Sequence, residues 1–223
     1  MDIADNCAKE VFENEQKRAS VLIPIIKGWI TELSVLHCSS GLQIHGGMGF
    51  IEETGAAQYF RDSRILPIYE GTTAIQANDL MFRKTIRDEG QTIRLLIEEI
   101  EKEMEIVDDN YSKPMSNAIA DVTATLEKLL SKANDSRYLA ANGVNWLMQL
   151  GYFCGGWMAV KSADRAIKNA TRLPDDFVKS KIICAEIYLQ HSLPHVKTYS
   201  NVINHKDNSI LNMDVNWLHR RTA

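Results

Sequence analysis

A single carboxylate set directly before a glycine, in Tyr69-Glu70-Gly71-Thr72, is the part of this chain best placed to move a proton. Pro67 opens a turn just ahead of it, between two helical patterns. Such a turn exposes the Glu70 side chain and leaves backbone N–H groups beside it free. That is how a general base is mounted next to a donor that polarises a carbonyl. The dipeptide alone says little, because most Glu-Gly pairs merely end or begin a helix. Thr72, Thr73 and Ala74 then start a helix, whose free N–H groups and positive dipole end suit electron-rich ligand atoms. Ordinary threonine capping accounts for the same residues and is compatible with that role.

Upstream, Gln43-Ile44-His45-Gly46-Gly47-Met48-Gly49-Phe50 packs glycines too densely for a regular helix. As a phosphate loop it lacks both the Gly-x-Gly-x-x-Gly spacing and a preceding strand, so a tight interhelical connection is the simpler reading. His45 reads as a packing residue, and Arg61-Asp62 as a structural ion pair. No histidine pair has metal-ligand spacing with a third partner. Lys161, Arg165, Lys168 and Arg172 form a basic stripe at helical steps, diluted by Asp164, Asp175 and Asp176. Such a stripe is a solvated face, and no nucleic-acid partner is expected.

The elements that carry these residues are helical throughout. The spacing predicts helix over Ile3 to Lys17, then a second helix capped by Ser20, with Pro24 in its first turn, ending near Gly41. A short helix is expected from Glu53 to Asp62, and another after a Thr72 or Thr73 cap. Beyond Gly90, Ile93, Leu96, Ile97, Ile100, Met104 and Val107 mark an amphipathic helix. Asn110 to Pro114 read as a break, with Ser112 and Pro114 as start signals for the next helix. Asp135 or Ser136 opens a long helix to about Asn169, and a last one runs from Pro174 toward Tyr199 with a kink or end at Pro194. The tail from His205 reads as irregular. No segment alternates at period two, so the fold class is all-α, a helical bundle with an appended four-helix segment. Gly90 divides it into residues 1–89 and 90–223.

Composition fits a globular protein: 45% hydrophobic, 24% charged, net charge −4, which supports no polyanionic partner. No uninterrupted apolar run has the length of a membrane span, and Met1-Asp2-Ile3-Ala4-Asp5 has no signal-peptide pattern. Cys7, Cys38, Cys154 and Cys184 lie far apart in helical patterns, which reads as reduced, apolar-facing thiols of a cytoplasmic protein.

Together, Gln43 to Phe50, Arg61-Asp62-Ser63-Arg64-Ile65 and Ile68-Tyr69-Glu70-Gly71-Thr72-Thr73-Ala74-Ile75-Gln76 resemble, in order and spacing, the C-terminal helical domain of acyl-CoA dehydrogenases. The continuation after Lys84 is similar to the bacterial branch with an appended C-terminal helical domain. The resemblance implies α,β-dehydrogenation of an acyl-CoA thioester. Glu70 would be the base that removes the α proton, its own backbone N–H the donor to the thioester carbonyl, and Gly71 the room for the acyl chain. Tyr69 and Pro67 would help exclude water. FAD would be the hydride acceptor, held by Thr72, Thr73 and Ala74, with Gln43, Gly46 and Gly47 touching the FAD of a neighbouring subunit. Electron-transferring flavoprotein is the implied acceptor and a homo-oligomer the implied assembly.

The family's chain also has an N-terminal helical domain and a middle β domain, which this sequence lacks. The expectation is therefore a part of an enzyme that, alone, binds FAD weakly or not at all and shows no turnover. The alternative is a non-catalytic helical interaction or assembly module, favoured by the absence of any recognisable active-site residue after Gly90.

Overall fold

A computed structural model describes residues 3–205 and 209–218, and among these there is helix and connection but no strand. In chain order the α-helices are α1 (Ile3–Ile25), α2 (Thr31–Ile44), α3 (Gly47–Phe50), α4 (Ala56–Ser63) and α5 (Thr73–Asn78). They continue as α6 (Gln91–Met104), α7 (Asp109–Leu130), α8 (Ser136–Lys168), α9 (Asp175–Ile187), α10 (His195–Ile203) and α11 (Ser209–Asn212). Wider π turns occupy Ile26–Ile30, Asp79–Ile86 and Tyr188–Ser192, and 3-10 turns Glu52–Thr54 and Val215–Leu218.

The long helix α8 is the axis of the molecule. Asp135 caps it by accepting from the Tyr138 N–H at 3.0 Å. It is apolar around much of its girth because α1, α5, α7, α9, α10 and the π segments all pack on it. Trp146, Leu147, Leu150 and Phe153 are fully buried there. The Trp146 indole N–H donates to Thr85 Oγ1 at 3.0 Å, and Thr85 in turn donates to the Leu80 carbonyl at 2.9 Å. Residues from both sides of Gly90 contribute to one continuous core, from Val21 to Ile203.

Close approach explains one glycine of α8. A Cβ on Gly151 would fall among the Trp29 ring atoms, 2.6 Å from the Trp29 Cβ. Trp29 cannot retreat freely, since its ring stands edge-on to Tyr152 at 5.6 Å. Gly151→Ala is expected to cost about 1–3 kcal/mol, read as a lower urea midpoint at unchanged m-value.

Several boundaries differ from the sequence expectation. Ser20 caps nothing: it lies inside α1, its hydroxyl donating to the Lys17 carbonyl at 2.7 Å. Pro24 is therefore well inside a helix rather than in a first turn. The π segment Ile26–Ile30 follows it directly. Asn110 to Pro114 are no break either. Asp108 caps α7 through the Asn110 N–H at 2.9 Å, and Pro114 sits within the helix. The short helix begins at Ala56, after a 3-10 turn, and the last predicted helix is two, separated by a π turn and Pro194. Short helical pieces occur beyond His205, which itself is coil.

One helical stretch, Glu13–Ile44, is by length and composition alone long and apolar enough to cross a membrane, against the sequence expectation. One face of it packs inward, with Val21 and Ile25 buried and Gly28 beneath Leu147, while Ile23, Ile26, Ile30, Leu36 and Ile44 are exposed. Of the thiols, Cys154 is buried and pushed up to about 12 by desolvation, whereas Cys184 faces outward rather than into an apolar core. Cys38, Cys154 and Cys184 are free; the side chain of Cys7 lies outside the described residues.

Candidate functional site

Residues 64–70 form the predicted turn between α4 and α5. It closes on itself, with the N–H groups of Ile68 and Tyr69 both donating to the Ile65 carbonyl at 3.0 Å. Thr73 N–H then reaches back to the Pro67 carbonyl at 3.2 Å. Pro67 is buried, and Tyr69 is 47% exposed. Thr72 caps α5 by accepting from the Ile75 N–H at 3.4 Å.

Glu70 occupies the left-handed region, φ 52°, and Gly71 follows at φ 97°. For a residue with a Cβ that backbone costs roughly 1–2 kcal/mol, and the surroundings must hold it. The result is an exposed carboxylate at the crest of the turn. The N–H groups of Glu70, Gly71 and Thr72 find no acceptor among the described residues. Gly71 is needed for its φ, and a Cβ there would also meet the Gln76 amide at 2.8 Å.

Two residues that periodicity marks only as helix surface hold this turn. Lys27 donates to the Leu66 carbonyl at 2.5 Å and lies over the Tyr69 ring, 5.1 Å from its centroid. Glu32 accepts from the Thr73 hydroxyl at 2.5 Å. No sequence signal pointed to them, because both partners are about forty positions away in the chain.

Gln43, Gly46 and Gly47 lie elsewhere. All three are exposed, Gly46 at φ 60°, and a Cβ on Gly46 or Gly47 would meet nothing within 4 Å. The glycines do not abolish helix, contrary to expectation: after the Gly46 reversal, Gly47–Phe50 form one turn of it. Gly49 is buried there because its α carbon lies against Leu42. Glu32, which touches Thr73, and Gln43 are separated along α2 by about 16 Å of helix rise. The structure thus keeps the Gln43–Gly47 connection and the Thr72–Ala74 helix start at opposite ends of one helix.

The remaining candidates resolve as structure. Arg61 pairs with Glu52 at 3.1 Å rather than with Asp62, and that bond raises its pKa. The basic stripe is partly neutralised: Lys168 pairs with Asp164, and Lys161 with Glu103. Trp157 also donates to Glu103, at 2.6 Å. Partial burial of Glu103 opposes ionisation, yet the bonds from Lys161 and Trp157 prevail and hold it below the ordinary 4.5. Its stabilising contribution is therefore full above that ordinary value and is lost as pH falls through the depressed one. Glu103→Gln is expected to flatten that part of the acid-side decline in urea midpoint. Among the described residues no group of three His, Cys, Asp or Glu could hold a metal ion.

Comparison with known proteins adds to this geometry. Residues 4–84 match a family model described as acyl-CoA dehydrogenase, C-terminal domain, and residues 96–214 one described as acetyl-CoA dehydrogenase C-terminal like. The chain is 40% identical over 219 residues to 3-methylmercaptopropionyl-CoA dehydrogenase of Ruegeria pomeroyi, covering 95% of this chain and 37% of that protein. It is 31% identical to a broad-specificity linear acyl-CoA dehydrogenase of Mycobacterium tuberculosis, covering 87% and 34%. It thus spans about a third of the length of the curated relatives it matches. Among solved structures, an acyl-CoA dehydrogenase complexed with FAD from Bacillus anthracis superposes with a TM-score of 0.62 at 21% identity, covering 91% of this chain and 36% of that one.

Proposed function

This chain belongs to the acyl-CoA dehydrogenase family, and we propose that it carries the base, Glu70, for α,β-dehydrogenation of an acyl-CoA thioester. One observation carries the reading: a glutamate is held in a left-handed backbone at the crest of a braced turn, its carboxylate projecting and the adjacent N–H groups unpaired. Backbone strain of this kind persists only where surroundings enforce it, and it concentrates at functional sites.

In this reading the Glu70 carboxylate takes the α proton. Its own N–H, free of an intrachain acceptor, is offered to the thioester carbonyl, which acidifies the α carbon. Gly71 keeps the acyl side open. The carboxylate is exposed in this chain, and a solvated Glu is a weak base. Substrate and the surfaces enclosing it must therefore cover the turn before Glu70 is competent.

The residues fit FAD through two features: unpaired N–H groups next to the Thr72, Thr73 and Ala74 helix start, and the side-chain-free surface of Gly46 and Gly47. When bound, FAD supplies the hydride acceptor for the β hydrogen. We assign Gln43, Gly46 and Gly47 to the flavin of a second copy, as the family resemblance implies, and their place at the far end of α2 from the Glu70 turn agrees with it. The apolar exposure of Ile44, Met48 and Phe50 beside them supports a covered, oligomeric face. Electron-transferring flavoprotein is the acceptor we assign, and the free thiols support a cytoplasmic location.

The test is acyl-CoA-dependent reduction of an artificial electron acceptor by the assembled flavoprotein, with and without Glu70→Gln. Undiminished turnover in the variant removes Glu70 from the mechanism.

A further inference from the structure

The turn that presents Glu70 is gripped at both ends by one helix. Lys27 donates to the Leu66 carbonyl and covers Tyr69, the residue directly before Glu70. Glu32 accepts from Thr73, three residues after it. Lys27 is only half-buried, and among the described residues it has no carboxylate partner. Its charge is committed to a carbonyl and a ring face, both belonging to the turn.

The geometry of the carrier helix makes the double grip feasible. Residues five apart on a regular α-helix lie about 140° apart around the axis, so Lys27 and Glu32 would face different directions. Both nevertheless reach the turn, and the π segment Ile26–Ile30 between them, which winds more residues into each turn through i→i+5 bonding, narrows that angle. Pro24, which cannot donate, precedes that segment. The Thr31 hydroxyl, donating to the Lys27 carbonyl at 2.6 Å, steadies its exit.

We propose that Lys27 and Glu32, aligned by the π segment, are positioning residues for Glu70: together they clamp residues 66–73 and hold the carboxylate in its left-handed conformation. The proposal rests on the reading of Glu70 as the base. A catalytic carboxylate displaced by about 1 Å loses up to a hundredfold in rate, so the clamp acts on turnover without touching substrate.

Two measurements test it. In the 223-residue chain, hydrogen exchange followed by mass spectrometry reads the turn directly. Lys27→Met and Glu32→Ala are expected to speed exchange of the Thr73 amide about tenfold, the size of one lost charge-assisted hydrogen bond. Peptides from α8 should keep their protection, which excludes general unfolding. Unchanged Thr73 exchange in both variants overturns the clamp. In the assembled flavoprotein, Lys27→Met is expected to lower kcat about tenfold or more with KM nearly unchanged, and Lys27→Arg to restore most of it. A Glu70→Gln that is inactive beside a Lys27→Met with full kcat overturns the positioning role alone. A fully active Glu70→Gln overturns the base, and the positioning role with it.

Discussion

Replacing Glu70 by Gln is expected to lower kcat of the assembled flavoprotein by about a hundredfold to ten-thousandfold while flavin stays bound. Gln keeps the size of the side chain, the left-handed backbone and the N–H we assign to the thioester carbonyl. It removes only the capacity to take a proton. Glu70→Asp is the informative companion, since it keeps the base and withdraws it by one methylene; it should retain part of the activity that Gln loses. The chain also contains its own control. Glu89-Gly90 repeats the same dipeptide with the same kind of backbone, φ 52° and 73°, and Glu89 is likewise exposed. There the reversal merely turns the chain into α6, with Gly90 N–H donating to the Thr85 carbonyl at 2.8 Å. Glu89→Gln should leave turnover unchanged. Equal losses in the Glu70 and Glu89 variants would mean that the effect comes from the backbone and not from proton transfer.

Trp146→Ala should be the most destabilising single change in the core, by about 3–5 kcal/mol. The indole is fully buried in α8, so its removal leaves a cavity in a helix hemmed in on nearly every side. It also removes the donor to Thr85, although that hydroxyl keeps its own bond to the Leu80 carbonyl. For a chain of this length the loss corresponds to a melting temperature lower by roughly 6–20 °C. Trp146→Phe, which refills most of the volume without the N–H, should recover most of the difference. A melting point within a degree or two of the parent for the alanine variant would show that α8 is not the axis of the core.

The existence of the longer helices was legible because the apolar spacing is regular, whereas the short helical pieces at Gly47–Phe50 and beyond His205 were not. The caps of α5 and α8 were legible to within one residue, Thr72 or Thr73 and Asp135 or Ser136, since short polar side chains before an apolar period carry a local hydrogen bond; the structure selects Thr72 and Asp135. The errors share a cause. Ser20 and Pro114 read as boundaries because local propensity disfavours helix there, but tertiary packing of the flanking apolar stripe carried the helix through both, and the real break before α7 falls at 105–108 instead of at Asn110. The π segment after Pro24 had no sequence signal beyond the proline itself. For the site, Pro67 and Gly71 announced a turn, and the resemblance gave Glu70 its expected role. Neither could reveal that Glu70 itself adopts a left-handed backbone.

The order and spacing of three short blocks pointed to the family and to the carboxylate to examine, and apolar periodicity along the chain to the all-α class, because each depends on residues close together in the chain. Only the tertiary structure could show what holds that carboxylate. Lys27 and Glu32 meet the turn across 39 and 41 positions, through a helix whose register is shifted by one π segment. Only it could show that Glu70 and Glu89, in identical dipeptides, share a left-handed backbone and differ in their neighbours. Spacing along a chain encodes local backbone preference; which side chains converge on a point depends on how helices rotate and pack against one another.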